Sequence, residues 1–427
     1  MRDFIILSII FGSTPFCFVR PYIGILMWLW IGLMNPHQFA YQASTFPVAF
    51  VIAVPTLAGT LFYSDKQKFP FELETWILIF LLLWFGITTY FALEPTSALH
   101  EWGRVWKIFL MTFVTLLLFQ DPKKLRIYFW VIAISVAFFG VKGAIFSIFT
   151  KGQYIIFGPP NSFIEDNNAL ALAELMVIPI LIFFAKEEKH IWLRRFLYFI
   201  SALVIGAVIF SYSRGALLSL VALTIFFVLV VSKKKLLSIV LIIVIGITSI
   251  QFIPQKWFDR MGTISTYQED PSAMGRINAW YFAYNIVNDR PILGGGFKVF
   301  SRRLFKEYAP EPDDVHDSHS IYFEMLAEQG YPGLIMFLAL LSSSYFSLIR
   351  VKKIAEEFES LSWIKSYSDM LKMSIVAYCI GGAFLGLAYF DLIYQLIAAV
   401  IILKAMVRRE LSTIPTGQMV QEGSRVG

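Results

Sequence analysis

The stretch DDVHDSHSIYFEMLAEQGYPGL, from Asp313 to Leu334, passes from acidic and polar residues into a long apolar segment. It closes a polar region that begins near Gln251 and contains GRINAW (Gly275 to Trp280) and the turn-rich DRPILGGGF (Asp289 to Phe297). Elsewhere the chain consists mostly of apolar segments, so this region is its one long polar insertion. We expect a chain with this distribution of polar residues to carry its chemistry in that loop.

The composition is that of a membrane protein. Of its 427 residues, 57% are hydrophobic and 15% are charged, and the mean hydropathy is +0.67, whereas soluble domains carry about 25% charged residues. The sequence therefore predicts an all-α integral membrane protein. The formal charge of +6 is assigned to basic cytoplasmic loops, and not to a nucleic-acid surface. Cys17 and Cys379 both lie in apolar segments, which indicates neither a disulfide framework nor a metal cluster.

Clusters of lysine and arginine assign the loops to the two sides of the membrane. Because two apolar crossings separate each cluster from the next, all of them can be cytoplasmic together under the positive-inside rule. The clusters are at 66–68, 123–126, 186–195, 233–235, 350–353 and 408–409. The remaining loops then face outward: 35–45, 94–103, 150–167, 211–215, the long polar loop and 389–391.

This arrangement gives about 12 transmembrane helices if residues 4–34 make one net crossing. That segment is divided by Arg20-Pro21, and either a shallow hairpin or one broken crossing fits it. The predicted divisions are membrane helices over 1–253, a large outward loop over 254–318, C-terminal membrane helices over 319–409, and a disordered cytoplasmic tail over 410–427.

The long loop is predicted to be partly helical. Apolar spacing indicates a helix from Pro271 to Asn288, which Pro291 and the following glycines end. A second helix is predicted to begin at Ser318, a suitable N-cap, and to end at Gly330.

Arg214, in SYSRGALLSL, is the first candidate site residue. It lies at the outer end of an apolar segment, where arginine is costly and where few basic residues are expected. It also precedes Gly215 at a predicted helix N-terminus, where backbone N–H groups and the helix dipole favour an anion. The alternative is an arginine that only extends to the membrane interface.

Arg276, in the predicted loop helix, is the second candidate. A loop arginine is usually just solvated, but two outward-facing arginines suit a diphosphate, because the guanidinium group can bind phosphate oxygens bidentately. Arg290, Arg302 and Arg303 are weaker candidates for the same role.

His319 is the candidate for proton transfer, since histidine titrates near neutral pH. It lies where the polar loop returns to the membrane, and Tyr322, Glu324 and Glu328 follow it. The alternative is a histidine that caps a helix or lies at the interface, and His316 competes for any catalytic role.

An acidic cluster precedes this segment, and its oxygen and imidazole groups could hold a divalent ion. Its spacing matches no strict ligand pattern, so a solvated acidic loop is the simpler explanation. The residues concerned are Asp313, Asp314, His316, Asp317 and His319.

Two further polar residues lie in outward loops. Asp166 enters a helix within GPPNSFIEDNNALAL (Gly158 to Leu172), and N-capping is its simpler role. Lys107 follows Trp102 and Trp106, which mark the interface, and is predicted just inside the membrane on the same side.

Three motifs in this order resemble the O-antigen ligase and polymerase superfamily. They are SRGALLSL (Ser213 to Leu220), GRINAWYFAYNIVNDRPILGGGF (Gly275 to Phe297) and HSIYFEMLAEQGYPGL (His319 to Leu334). The stretches RPYIGILMWLWIGLMNPH (Arg20 to His37) and EDNNALAL (Glu165 to Leu172) further resemble a ligase-like branch associated with bacterial exopolysaccharide and O-glycosylation systems.

The resemblance implies a multi-pass glycosyltransferase of the bacterial inner membrane, with a periplasmic active site and cytoplasmic termini. It implies transfer of a glycan from undecaprenyl diphosphate to a sugar hydroxyl of lipid A–core in lipopolysaccharide biosynthesis, with neither a metal nor another cofactor. By motif, Arg214 and Arg276 would bind the diphosphate and His319 would be the general base. Secondary candidates are Lys107, His316, Tyr322 and Asp166. Because no nucleophilic carboxylate stands out near the motifs, we expect inversion at the anomeric carbon.

Two alternatives stay open. An O-antigen polymerase or a protein O-oligosaccharyltransferase of the same superfamily would share the donor half of the site, and the sequence does not show the acceptor surface. A non-enzymatic transporter fits the helix number, although paired discontinuous helices are not evident.

Overall fold

A computed structural model describes residues 1–41, 43–232, 234–250, 253–262, 268 and 270–413. Within these residues the regular secondary structure is helical throughout, as predicted. The α-helices are α1 (Arg2–Val19), α2 (Pro21–Met34), α3 (Val48–Phe62), α4 (Leu73–Tyr90), α5 (Pro95–Leu118), α6 (Pro122–Phe149), α7 (Asn167–Glu187), α8 (Ile191–Ile209), α9 (Arg214–Phe226), α10 (Lys235–Ile250), α11 (Gln255–Gly262), α12 (Pro271–Asp289), α13 (Arg302–Tyr308), α14 (Ile321–Glu357), α15 (Ser362–Gly381) and α16 (Asp391–Thr413).

Among the described residues, seven helices are long and apolar enough to cross a membrane. They are α1, α4, α6, α7, α8, α14, and α9 with its π-helical extension to Val231. The apolar helices α2 and α3 are shorter. A helical membrane protein is therefore confirmed, while a count of about 12 crossings stays a prediction.

Helix α7 lies at the centre of the bundle. In its most apolar window, 89% of the residues are buried, and it contacts α6, α8, α9 and α15. The predicted division of residues 4–34 at Arg20-Pro21 is present, since α1 and α2 meet at Arg20, and both helices pack against α3. Residues 410–413 of the predicted tail continue α16, and residues 414–427 lie outside the described residues. Lys233, which belongs to the basic cluster 233–235, also lies outside them.

The loops segregate to two ends of the bundle. At the end that carries basic clusters, Arg409 donates a hydrogen bond to the side chain of Gln67 at 2.8 Å. At the opposite end, Asn167 donates to the carbonyl of Ser211 at 2.7 Å, and the long loop packs beside them. The sidedness of these two ends in the membrane stays a prediction.

The long loop has its own small hydrophobic core. Helix α12 spans nearly the predicted residues. It buries Phe282 and Ile286, whereas Tyr281 and Tyr284 are 57% and 52% exposed. The side chains of Phe282 and Ile286 pack with residues of α13 and with Ala327 of α14. The loop is thus a folded cap and is attached to a membrane helix.

The segment that returns to the membrane departs from prediction at its start. Ser320, and not Ser318, is the N-cap residue of α14, because the backbone of His319 between them is left-handed, with φ 43°. The Ser318 hydroxyl instead accepts a hydrogen bond from the Ser320 backbone N–H at 3.4 Å. The predicted interruption is present, since Gly330 has φ 67° and ψ −173° inside α14. A Cβ atom at Gly330 would lie 2.2 Å from the carbonyl oxygen of Ile292, so glycine is required there.

Candidate active site

Arg214 is the first residue of α9 and follows a tight turn. Tyr212 in this turn has φ 58°, and the Ser213 hydroxyl accepts a hydrogen bond from the Ala216 backbone N–H at 3.1 Å, which caps the helix. Arg214 forms an ion pair with Asp270, the N-cap residue of α12. This contact joins a membrane helix to the long loop.

Arg276 lies in the second turn of α12. Its Nε atom is buried and has no hydrogen-bond partner among the described residues. Burial and then the charge of Arg260 lower the pKa of Arg276. A buried guanidinium nitrogen without a partner costs free energy until an acceptor reaches it, so this side chain is suited to bind an anion.

Arg214 and Arg276 line one cavity of 230 Å³, which we term the basic pocket. Lys256 and Arg260, one turn apart on α11, add two positive charges to its wall. The motifs predict neither residue, although two basic side chains in an outward loop depart from the positive-inside rule. The wall is completed by Ile155, Asn167, Asn168, Tyr212 and Ser272.

Three helix N-termini converge on the basic pocket. Asn167 and Asn168 begin α7, Arg214 begins α9, and Ser272 lies in the first turn of α12. Such turns present N–H groups and partial positive charge. Together with four cationic side chains, they favour an anion with more than one acidic group.

His319 precedes α14 in the left-handed backbone region, with φ 43°. A non-glycine residue there costs ~1–3 kcal/mol, and such strain is often found at functional sites. Burial, and after it the positive charge of Arg276, lowers the pKa of His319. The lowered pKa favours the neutral imidazole, which can accept a proton.

His319 lines a second cavity of 180 Å³, which we term the histidine pocket. Its ionisable lining is one lysine and four acidic side chains: Lys298, Asp166, Asp317, Glu324 and Glu328. The first turn of α7 borders both cavities, because Asp166 and Ala169 line this one while Asn167 and Asn168 line the basic pocket.

The glycine run after α12 fixes part of the histidine pocket. The backbone N–H groups of Gly295 and Gly296 donate to the carbonyls of Ala327 and Glu328 at 2.7 and 2.9 Å. The Lys298 backbone N–H donates to one carboxylate oxygen of Glu328 at 2.8 Å, and the other oxygen is buried without a partner among the described residues. The motifs do not predict Lys298 as a site residue, because its contact with Glu328 joins positions 30 residues apart in the sequence.

The secondary candidates are placed differently. Asp166 caps α7 by accepting from the backbone N–H groups of Asn168 and Ala169 at 2.8 and 3.1 Å, and it also lines the histidine pocket. Tyr322 donates to the carbonyl of Cys379 on α15 at 2.7 Å. Lys107 lines a third cavity with Arg104 and Asp391.

The acidic cluster considered for a metal is divided in the structure. His316 pairs with Asp314 at 2.8 Å, whereas Asp317 and His319 line the histidine pocket and Asp313 is exposed. Among the described residues, no three His, Cys, Asp or Glu side chains are grouped to hold a metal ion. Independence from metal stays a prediction.

Two family models match the chain. Residues 199–338 match the family described as O-antigen ligase, and residues 1–189 match a family of unknown function (DUF5935). The first match contains Arg214, Arg276 and His319, and it confirms the resemblance to the O-antigen ligase superfamily that the motifs carry.

The chain is also similar to an uncharacterised protein of Haemophilus influenzae. The two are 24% identical over 308 residues, which is 68% of this chain and 76% of that protein.

Proposed function

We propose, on the premise that this chain belongs to the O-antigen ligase superfamily, that it transfers a glycan from undecaprenyl diphosphate to a sugar hydroxyl of lipid A–core. Members of the superfamily are glycosyltransferase-like enzymes. The observation that carries the proposal is the buried, unpartnered Nε atom of Arg276 in a four-cation pocket beside His319, whose lowered pKa favours the neutral imidazole.

The donor diphosphate would occupy the basic pocket. As the glycosidic bond breaks, negative charge develops on the leaving undecaprenyl diphosphate. Arg214 and Arg276, with the three helix N-termini, already point positive charge at this cavity, and preorganised charge of this kind stabilises a transition state. Asp270, which pairs with Arg214 in the structure, would then share that arginine with a phosphate.

His319 would act as the general base. The acceptor hydroxyl oxygen attacks the anomeric carbon, its proton passes to the imidazole, and the carbon–oxygen bond to phosphate breaks with its electron pair on the diphosphate. A single displacement of this kind inverts the anomeric carbon. Glu324 lines the same pocket and accepts a hydrogen bond from the Ala388 backbone N–H at 3.1 Å, which supports a structural role for it.

The site would face the periplasm from the inner membrane. The segregation of basic loops such as 66–68 and 408–409 to the end opposite the two pockets supports this orientation, with both termini cytoplasmic. The polyprenyl chain would lie among the apolar membrane helices.

The test is reconstituted transfer. Purified protein in nanodiscs receives an undecaprenyl-diphosphate glycan with lipid A–core, a second glycan or a serine peptide, with and without EDTA. We expect transfer to lipid A–core that EDTA leaves unchanged and that Arg276→Ala and His319→Ala abolish. Arg302→Ala, an exposed loop arginine, is the matched control.

Other outcomes would redirect the assignment. Transfer only to a glycan indicates a polymerase, and transfer only to the peptide indicates a protein O-oligosaccharyltransferase. Solute flux without any transfer would support a transporter, and loss of transfer in EDTA would support a metal site.

A further inference from the structure

A third cavity of 250 Å³ lies at the same end of the bundle as the two pockets, and we term it the Asp391 cavity. Its walls come from α2, α3, α5, the loop 161–163 and the start of α16. Asp391 is only 5% exposed, and its Oδ1 atom has no hydrogen-bond partner among the described residues. A Cβ atom at Gly32 would lie 2.8 Å from the other carboxylate oxygen, so the glycine leaves room for this side chain.

A second polar atom of this cavity also lacks a partner. The indole Nε1 of Trp28 is buried, and it makes no hydrogen bond within the described part of the chain. An unsatisfied donor and an unsatisfied acceptor that line one cavity are both satisfied by hydroxyl groups, each of which donates and accepts. A ligand with several hydroxyls meets this demand.

Two cations add a preference for negative charge. Lys107 is exposed, lies 5.9 Å from the Trp106 ring centre, and forms no ion pair with any described residue. Arg104 contacts Glu101 at 3.3 Å and lies 4.2 Å from the ring centre of Phe163. The cavity therefore combines hydroxyl-binding groups with a free ammonium group, which together match a phosphorylated sugar.

The segment 386–390 links the Asp391 cavity to the histidine pocket. Phe163, in its wall, packs against Phe390 with ring centres 6.1 Å apart. Gly386, four residues before Phe390, lines the histidine pocket, and a Cβ atom there would lie 3.7 Å from the His319 backbone. A saccharide in one cavity could therefore extend a neighbouring sugar towards the other.

We propose that the Asp391 cavity binds a phosphorylated sugar of the acceptor, a subsite that rests on the proposed transfer reaction. Asp391 and Trp28 bind its hydroxyls, and Lys107 binds its phosphate. The unphosphorylated sugar that carries the reacting hydroxyl then lies beside His319.

Binding tests the cavity without any turnover. Saturation-transfer NMR on the purified full chain uses glucose 6-phosphate, with glycerol 3-phosphate as a lipid-headgroup arm. We expect glucose 6-phosphate to bind, and Lys107→Gln to weaken it about 10-fold, as expected for a lost charge-assisted hydrogen bond. Asp391→Asn, which keeps the shape of the side chain, should weaken it comparably, and exposed Lys151→Gln should not.

Two binding results would overturn the proposal. Equal affinity for glycerol 3-phosphate would assign the cavity to a phospholipid headgroup, and unchanged binding in both Lys107→Gln and Asp391→Asn would remove the ligand from this cavity.

Transfer then tests the acceptor role. Lys107→Gln should raise KM for phosphorylated lipid A–core and leave KM for the donor unchanged, and dephosphorylated acceptor should abolish the difference between variant and wild type. Lost glucose 6-phosphate binding with an unchanged acceptor KM would refute the acceptor role. If the wild type transfers nothing, the proposed reaction fails, and the NMR result still decides whether the cavity binds a sugar phosphate.

Discussion

The basic pocket and the histidine pocket share the first turn of α7 but differ in the ionisable groups that line them. The first is lined by four cations, and its arginine at 214 is paired with one carboxylate. The second is lined by four acidic side chains, one lysine and His319, whose pKa is lowered first by burial. A leaving diphosphate and an acceptor that loses a proton need these different surroundings, so the division suggests which substrate each pocket binds.

The largest effect should come from removing the base. We expect His319→Ala to lower kcat for glycan transfer ~10³-fold, within the range for a lost general base, while donor affinity changes little because the basic pocket is intact. Radiolabelled transfer and a separate donor-binding assay measure the two quantities.

The matched control is His316, three residues earlier. It pairs with Asp314 and packs against Gly275, so His316→Ala should retain most of the activity. A loss as large as that of the His319 variant would mean that the base has been assigned to the wrong histidine.

Replacing Arg276 should have the next largest effect. Arg276→Lys keeps the charge but loses the bidentate guanidinium group and the buried Nε donor. We expect kcat/KM to fall ~10²-fold, as when one preorganised donor to a developing oxyanion is removed, with weaker donor binding. Arg302→Lys is the control, and equal losses in both would argue against a specific diphosphate contact.

Several residues of the candidate site could be predicted from local sequence. The order of the motifs predicts Arg214, Arg276 and His319 as site residues, and the structure brings the first two into one pocket with the third next to it. The α12 boundaries and the break at Gly330 follow from proline, glycine and apolar spacing, which are local signals.

Contacts between distant segments could not be predicted in this way. The ion pair of Arg214 with Asp270 and the bond from Lys298 to Glu328 join residues 56 and 30 positions apart. Neither pair has a sequence pattern, because each depends on how the loop folds onto the bundle. The prediction of Ser318 as the N-cap residue is wrong for a different reason, since the left-handed backbone of His319 places the start of α14 after it.

A smaller effect tests the electrostatic link between the pockets. Burial and then Arg276 lower the pKa of His319, so wild-type kcat/KM should be lost only as pH falls below 6.5, the ordinary value. Removing the positive charge in Arg276→Gln should move this acidic limb to higher pH, whereas Arg276→Lys should leave it in place. Identical limbs in all three proteins would mean that the pockets are electrostatically independent.

The smallest effect should come from Asp166, because its two contributions can be separated by two substitutions. Its carboxylate caps α7 and its charge raises the pKa of His319, against the effect of burial. Asp166→Asn keeps the cap, since asparagine is an equally good N-cap, and removes the charge, so transfer should fall only a few-fold with unchanged thermal stability. Asp166→Ala removes both and should also destabilise the fold by ~1 kcal/mol. If both variants lost activity and stability equally, the cap alone would explain Asp166, and its charge would have no role at His319.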